Sequence, residues 1–310
     1  MAYSLKHINE LAKNDPKAFV EGTEAEFQRK LELAAKRIAG NRDKSHIILL
    51  SGPSGSGKTT TAMKIEKLLD ESGVETHTIS MDNYFNTIDP ETAPRNREGA
   101  IDYESPFCLD IDLLNRHFAM LDRGETIHIP KYEFARQMRS DILSQPLRLG
   151  KDELAIFEGI HALNDVIIGK NPQAFKLYIA ARSNVVDEDG TVVFYHHWLR
   201  LCRRIVRDYK FRGSDAAFTL KLWPNVRRGE KLYISPYKEN ADLKFDSSLA
   251  TEVCVMKPYV VPLLQELPRG QYPDADAILA AYDRIEALDE SLIPADSLIR
   301  EFIGGGSFSY

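Results

Sequence analysis

Short, continuous runs of apolar residues recur along the chain and predict the buried strands of a sheet. Between these runs, apolar residues recur with the spacing of amphipathic helices, as in 60–69 and 109–121. Alternation of the two patterns is typical of an α/β domain with a parallel sheet and helices on both faces, which makes three layers. The predicted core strands are residues 47–50, 74–81, 154–157, 175–180 and 241–246.

Other segments are expected to lie outside this sheet. Strand-like patterns in 125–134 and 139–149 predict a small β ribbon, and residues 185–195 predict a loop or small hairpin. Helical patterns at both ends of the chain predict terminal extensions. The expected organisation is an N-terminal helical extension over 1–44 that stops at Gly40, a central domain over 45–270, and a C-terminal helix at 275–288 with a flexible tail within 271–310.

The segment between the first strand and the next helix fits the phosphate-binding loop G-x-x-x-x-G-K-[ST] at every fixed position. Its glycines let backbone N–H groups face phosphate oxygens, and the helix N-terminus adds partial positive charge. Lys58 is expected to reach the β- and γ-phosphates of ATP, and Thr59 to bind Mg²⁺. A plain glycine turn between two core elements is the alternative. The predicted ATP-binding residues of the loop are Gly52, Ser54, Gly55, Ser56, Gly57, Lys58, Thr59 and Thr60.

Two acidic residues directly follow predicted strands. Asp82 follows the strand 74–81, and Glu158 follows the strand 154–157. Because ligands gather at the carboxyl ends of parallel strands, both acids are expected to face the phosphate loop. Asp82 is therefore the candidate catalytic base and Glu158 a candidate Mg²⁺ ligand. The alternative for each is an ordinary cap or turn acid.

A helix that begins near Trp198 has two chemically different faces. One is apolar, and the other carries four arginines, of which Arg204 can pair with Asp208 one turn later. Residues 220–228 predict a second helix. A helical pair with a cationic face predicts a lid over about 198–230 that closes on phosphates and excludes water, whereas a solvated arginine face is the alternative. The four arginines are Arg200, Arg203, Arg204 and Arg207.

Composition and charge exclude several classes of protein. The 310 residues are 43% hydrophobic and 28% charged, which is ordinary for a folded soluble protein. A net charge of −6 argues against broad nucleic-acid binding. Three widely separated cysteines are typical of a reducing compartment, and the N-terminus lacks an apolar signal core. We expect a cytoplasmic protein with a small-molecule substrate and no membrane or nucleic-acid partner; its N-terminal arm can pack on its own core or in a homo-oligomer.

Residues 45–268 resemble the uridine kinase and phosphoribulokinase family of P-loop kinases. Five motifs carry the resemblance in the family's order, and the tail from Arg300 is similar to the uridine-kinase-like half of larger bacterial nucleoside kinase-like proteins. The motifs are residues 52–60, 82–85, 130–134, 157–160 and 200–208.

The resemblance implies a role for each matching position. Asp82 would take the proton from a ribose hydroxyl, Lys58 and Thr59 would hold nucleotide and metal, and Glu158 would help to place Mg²⁺. From the lid, Arg203 and Arg207 would act in catalysis and Arg212 would bind ATP, each through contacts with phosphates. The implied substrate-binding residues are Tyr84, Glu104, Tyr132, Phe134, Gln137 and Arg200.

Three positions depart from the family pattern. Glu104 replaces the aspartate that binds ribose, Phe85 replaces a tyrosine, and Gln137 replaces the histidine that reads the base. These changes affect the substrate pocket and not the phosphate machinery. We therefore expect an ATP- and Mg²⁺-dependent kinase for a nucleoside hydroxyl. The alternatives are another ribosyl compound, a sugar phosphate or pantothenate as acceptor, or a nucleotide-binding regulator.

Overall fold

The strands and helices come from a computed structural model that describes residues 2–133, 136–142 and 146–309. The strands are β1 Ala2–Ser4, β2 Ile47–Ser51, β3 Thr76–Ser80, β4 Ile127–His128, β5 Tyr132–Glu133, β6 Met138–Arg139, β7 Pro146–Leu147, β8 Leu154–Glu158, β9 Phe175–Ala180, β10 Asn184–Val186, β11 Val192–Phe194 and β12 Leu243–Asp246. The helices are α1 Leu5–Asn14, α2 Pro16–Ala39, α3 Lys58–Glu71, α4 Ile111–Asp122, α5 Asp165–Ile168, α6 His196–Arg212, α7 Ala216–Gly229, α8 Glu252–Gln265, α9 Pro273–Tyr282 and α10 Arg300–Ile303.

Five strands form one parallel sheet in the order β12-β9-β2-β8-β3. Each predicted apolar run supplies one of these strands, so the prediction of a parallel sheet is confirmed. Every residue of β2 and of β8 is buried, because both of their faces are covered by other elements. This double coverage explains why their sequences are continuously apolar and do not alternate.

Alternate residues of the sheet face two separate hydrophobic cores. Ile48 and Leu50 of β2 belong to the core that also includes side chains of α2, α3, α6 and α8. Ile47 and Leu49 belong to the opposite core, which includes side chains of α4. Helices therefore cover both faces of the sheet, and the predicted three-layer α/β architecture is confirmed.

Both terminal extensions contribute to the first of these cores. The N-terminal extension forms α1 and α2, and α2 ends at Gly40 as predicted, with Phe27 and Leu31 buried. The sequence pattern did not predict β1, which pairs in parallel with β10. At the other end, α9 stops at Tyr282, short of the predicted end at residue 288, and α10 buries Phe302 in the same core.

The smaller elements lie outside the five-stranded sheet. The predicted ribbon consists of two short antiparallel ladders, β4 with β7 and β5 with β6. Residues 184–194 form the hairpin of β10 and β11, and the predicted lid segment forms α6 and α7. Across 2–133, 136–142 and 146–309, no helix is long and apolar enough to cross a lipid bilayer.

Candidate active site

The phosphate loop joins β2 to α3 and requires glycine at two positions that lie against other elements. A Cβ atom at Gly52 would lie 2.0 Å from the carbonyl oxygen of Ile179 in β9. Gly57 has a φ of 77°, and a Cβ there would lie 2.6 Å from Leu298. α3 then begins at Lys58, so its first N–H groups lack carbonyl partners within the helix and face the loop. The predicted strand, loop and helix are thus present in the order that a phosphate site needs.

Asp82 and Glu158 lie at the same edge of the sheet as this loop. Glu158 ends β8, which pairs with β2 on one side and β3 on the other. Asp82 is in the short 3₁₀ helix that follows β3. The hydroxyl of Thr59 donates to Glu158 Oε1 over 3.5 Å. The structure therefore brings together the four residues predicted to act on phosphate and metal.

Burial shifts the pKa values of the charged groups in this cluster. It raises the pKa of Glu158 to about 7, and the negative charges of Asp82 and Glu301 act in the same direction against the attraction of Lys58. Burial also raises the pKa of Asp82, although Lys58 is beside it, and burial lowers the pKa of Lys58. Burial therefore opposes the charged form of each of these three groups.

The oxygen donors in this cluster fit a magnesium ion. Thr59 supplies a hydroxyl, and Asp82 and Glu158 supply carboxylates, which are the ligands that this hard cation prefers. Within the described part of the chain, no three histidine, cysteine, aspartate or glutamate side chains are grouped to hold a metal ion by themselves. Mg²⁺ in nucleotide-dependent enzymes typically binds one or two carboxylates together with substrate phosphates, so the donor set matches that pattern.

Two arginines from the end of α6 complete a cavity of about 610 Å³ over this cluster. Arg207 donates to Asp208 Oδ1 over 2.8 Å, and Arg212 lies 3.6 Å from the same oxygen atom. Asp208 also lies 3.8 Å from Arg204, the pairing that helical spacing predicted. The cavity is lined by Thr59, Ser80, Asp82, Glu158, Arg207, Phe211, Arg212, Arg300, Glu301, Gly304, Gly305, Gly306 and Phe308.

The other arginines of α6 are placed differently from the expectation. Arg203 is 0% exposed, and its Nη2 donates to Glu252 Oε2 over 2.6 Å. Its Nη1 donates to the carbonyl oxygen of Gly55 over 3.0 Å. Arg200 is buried against Glu230, with an N–O distance of 2.6 Å. In this conformation, Arg203 supports the phosphate loop from behind, and Arg200 joins α6 to the residue after α7.

The predicted substrate-binding residues lie in different surroundings. Tyr84 is 0% exposed and its hydroxyl pairs with His117 Nδ1 over 2.9 Å, so this side chain lies in the core and not at the cavity. Phe85 and Tyr132 form an aromatic pair with ring centres 5.5 Å apart. Gln137 is exposed in the turn of the ribbon with a φ of 52°. Phe134 lies outside the described residues.

Glu104 lies beneath the helical pair, close to the end of α7. A Cβ atom at Gly229 would lie 2.5 Å from Glu104 Cβ, so glycine is required where the two segments meet. Burial raises the pKa of Glu104 to about 7, and the guanidinium groups of Arg204 and Arg228 oppose this shift. Neighbouring Asp102 accepts from Arg228 Nη2 over 2.6 Å. Glu104 is therefore a half-buried carboxyl group among arginines, and it is not among the described residues that line the cavity.

Sequence reasoning missed the contribution of the C-terminal segment. Arg300, Glu301 and the glycines at 304–306 line the cavity, although the sequence pattern predicted a flexible tail from Gly304 onwards. Glu301 accepts from the hydroxyl of Thr60, and the backbone N–H of Thr60 points to the same carboxylate at 3.4 Å. A spacing within the phosphate-loop motif cannot reveal a partner 241 residues further along the chain.

The sequence of the chain is similar to sequences of known proteins. The family model described as "Phosphoribulokinase / Uridine kinase family" matches residues 47–253. A uridine kinase from Staphylococcus aureus (strain JH9) is 30% identical over 210 residues, which are 67% of this chain and 91% of that protein.

Solved structures of kinases also align with the chain. A possible uridine kinase from Bacillus stearothermophilus has a TM-score of 0.46 and 16% identity, covering 71% of this chain and 100% of its own. The phosphoribulokinase from Rhodobacter spheroides has a TM-score of 0.41 and 17% identity, covering 67% of this chain and 74% of its own. From the family match and the level of identity to the staphylococcal enzyme, the chain belongs to the phosphoribulokinase and uridine kinase family of kinases.

Proposed function

We propose that the protein transfers the γ-phosphoryl group of ATP to a hydroxyl group of a nucleoside in a Mg²⁺-dependent reaction. The observation that carries this proposal is the position of Asp82 and Glu158. Both lie at the carboxyl edge of the sheet and line one cavity with Thr59 of the phosphate loop. A nucleotide phosphate on the loop and a hydroxyl beside Asp82 would meet in that cavity.

The charges around the cavity suit a phosphoryl transfer. Lys58 and the N–H groups at the start of α3 would bind the phosphates of ATP, and Arg207 and Arg212 would neutralise the charge that spreads over the transferred group. Mg²⁺, held by Thr59 and Glu158, would supply further charge neutralisation when bound. Such a transition state depends on positioning and electrostatics more than on covalent chemistry.

Asp82 would act as the general base. The acceptor oxygen forms a bond to the γ-phosphorus, the bond between that phosphorus and the bridging oxygen of ADP breaks, and the acceptor proton passes to the Asp82 carboxylate. Because burial raises the pKa of Asp82, this carboxylate is a stronger base than an exposed aspartate. The positive charge of Lys58 opposes this rise in the pKa and favours the ionised form of Asp82.

A nucleoside of the uridine or cytidine type is the acceptor that the staphylococcal relative suggests. A specific observation favours a second candidate class, namely another ribosyl compound, a sugar phosphate or pantothenate. Glu104 has a pKa of about 7 among arginines, and Arg200 is already paired with Glu230. Asp208 is shared by Arg204, Arg207 and Arg212, so an acceptor with its own negative charge would add a partner for these guanidinium groups.

The decisive test measures ADP release from Mg²⁺ and ATP by the purified chain in the presence of each of a panel of nucleosides, sugar phosphates and pantothenate. We expect one acceptor to stimulate release, and Asp82→Asn to abolish that stimulation. Stimulation that persists in Asp82→Asn would remove Asp82 from its proposed role. If ATP binds and no acceptor on a broad panel stimulates release, the kinase proposal gives way to a nucleotide-binding regulator.

A further inference from the structure

Residues 296–308, the C-terminal segment, bind the first turns of the phosphate-loop helix. Asp296 accepts from Lys64 Nζ of α3 over 2.7 Å. Leu298 is fully buried and lies so close to Gly57 that no side chain would fit there. Glu301 then reaches the N-terminal turn of α3 through Thr60. The segment is thus anchored directly beside the residues that would hold phosphate.

The same segment also binds the arginine helix α6. The ring of Phe302 lies 5.0 Å from the guanidinium carbon of Arg203. Lys210 Nζ donates to the carbonyl oxygen of Ile303 over 2.5 Å. Gly304 follows with a φ of 85°, and a Cβ atom there would lie 3.1 Å from the ring of Phe211. The segment therefore connects the phosphate loop to the helix that carries the cavity arginines.

Glu301 contacts two donors of Thr60 in the first turn of α3. Thr60 is the third residue of α3, so its backbone N–H is one of those that no helix carbonyl can satisfy. In a phosphate-binding loop, N–H groups at this position bind the α- and β-phosphates of a nucleotide. Here the same N–H lies 3.4 Å from Glu301 Oε2, and the Thr60 hydroxyl donates to that oxygen as well.

A carboxylate and a phosphate cannot share these donors without strong repulsion. The charge of Glu301 already acts on the other cavity groups, since it helps to raise the pKa of Glu158. Together with Asp82 and Glu158, it places three carboxyl groups around Lys58. A bound nucleotide would bring several more negative charges to the same side of the cavity.

We propose that Glu301 holds the place of a nucleotide phosphate at Thr60, that nucleotide binding displaces this carboxylate, and that Glu301 thereby sets the affinity for nucleotide. The inference rests on the proposed function, because it takes the loop to be the nucleotide site. Leu298 and Phe302 are 0% exposed and anchor the segment, so the displacement is a rotation of the Glu301 side chain into the adjoining cavity.

The test compares ADP binding to wild type, Glu301→Gln and Glu301→Ala by isothermal titration calorimetry in the presence of Mg²⁺. Removal of one like charge at contact distance is expected to tighten binding by about fivefold or more in both variants. Inorganic tripolyphosphate should show the same gain, because the competition concerns phosphates and not the base. Glu290→Gln is the matched control, since it removes the same charge from an exposed residue that precedes the C-terminal segment.

The outcomes separate this inference from the proposed function. Equal or weaker ADP binding by both folded Glu301 variants would overturn the role of Glu301. A loss of thermal stability in the same variants would identify Glu301 as a helix cap instead. A gain for ADP without a gain for tripolyphosphate would also overturn it. If wild type and all variants fail to bind ADP, the proposed function itself falls, and the inference falls with it.

Discussion

Arg203 and Arg207 lie one turn apart on the same helix, yet their surroundings differ. Arg203 is completely buried against Glu252 and bonded to the backbone of the phosphate loop. Arg207 lines the cavity, and it contacts Asp208 next to it in sequence. A run of arginines with one periodicity therefore contains both a structural pair and a group that remains available to a ligand.

The difference comes from the elements that face each arginine. Glu252 starts α8 directly below Arg203, and the carbonyl oxygens of Gly55 and Ser247 accept its remaining N–H groups. A buried guanidinium needs such a complete set of partners, because an unpaired buried charge is very costly. Arg207 lies past the edge of the sheet, where α6 borders the cavity. Position along one helix therefore decides between support of the phosphate loop and a place at the cavity.

The largest expected effect is a loss of turnover on substitution of Asp82, which lines the cavity. Asp82→Asn should reduce kcat by about 10²- to 10⁴-fold, because the amide cannot accept the acceptor proton. ADP affinity should change little, and the free energy of unfolding should not fall, since the variant removes a buried charge whose pKa is raised. Steady-state kinetics with the acceptor that the panel identifies, together with urea unfolding, check both statements. Loss of activity together with loss of folding would instead place Asp82 with the structural residues.

The next effect concerns stability and should appear at Arg203. Arg203→Met leaves Glu252 buried without its partner, so we expect a loss of about 3–5 kcal/mol in the free energy of unfolding. Arg207→Met is the matched control on the same helix and should change stability by less than about 1 kcal/mol. Urea unfolding monitored by tryptophan fluorescence measures both. Equal stability of the two variants would contradict the division of α6 into two functional parts.

Arg207→Met should in turn affect catalysis. Loss of one charge-assisted contact with the transferred phosphoryl group is expected to lower kcat/KM by about 10- to 100-fold. Arg207→Lys keeps the charge and should recover part of the loss, because it lacks the planar fork of donors. The assay is steady-state turnover at fixed Mg²⁺, with Arg227→Met, half-exposed on α7 and outside the cavity, as control. Wild-type turnover by Arg207→Met would remove this arginine from the site.

The parts of the molecule that sequence predicted are those with local causes. The glycine loop, Asp82 and Glu158 were located because a strand, its carboxyl end and the next helix are adjacent in the chain. Arg203 pairs with a residue 49 positions away, and Thr60 with one 241 positions away. Such partners depend on how helices pack against each other. The spacing of residues within one helix carries no information about that packing.

The placement of Tyr84 illustrates a second limit. It lies two residues after Asp82, and a motif treats both as residues of the site. The intervening chain forms a 3₁₀ turn that directs Tyr84 into the core, where it contacts Phe157 and His117. A motif gives the order of residues along the chain, whereas the turn geometry decides which side chains reach the cavity.

The smallest predicted effect is a pH dependence of Mg²⁺ affinity and of stability, both caused by Glu158. Burial raises the pKa of Glu158 to about 7, so this carboxyl group gains a proton as the pH falls through that value. Mg²⁺ requires the ionised form, and its apparent affinity should therefore weaken by about threefold between pH 7.5 and 6.5.

The stability of the folded chain should depend on pH in the opposite direction. The folded chain binds this proton more tightly than the unfolded chain, so the contribution of Glu158 to the free energy of unfolding falls as the pH rises from about 4.5 to 7. Glu158→Gln should remove both dependences, as Mg²⁺ activation and urea unfolding across this range would show. Opposite slopes are expected because the cation binds the ionised form of Glu158, whereas burial in the folded chain favours its neutral form.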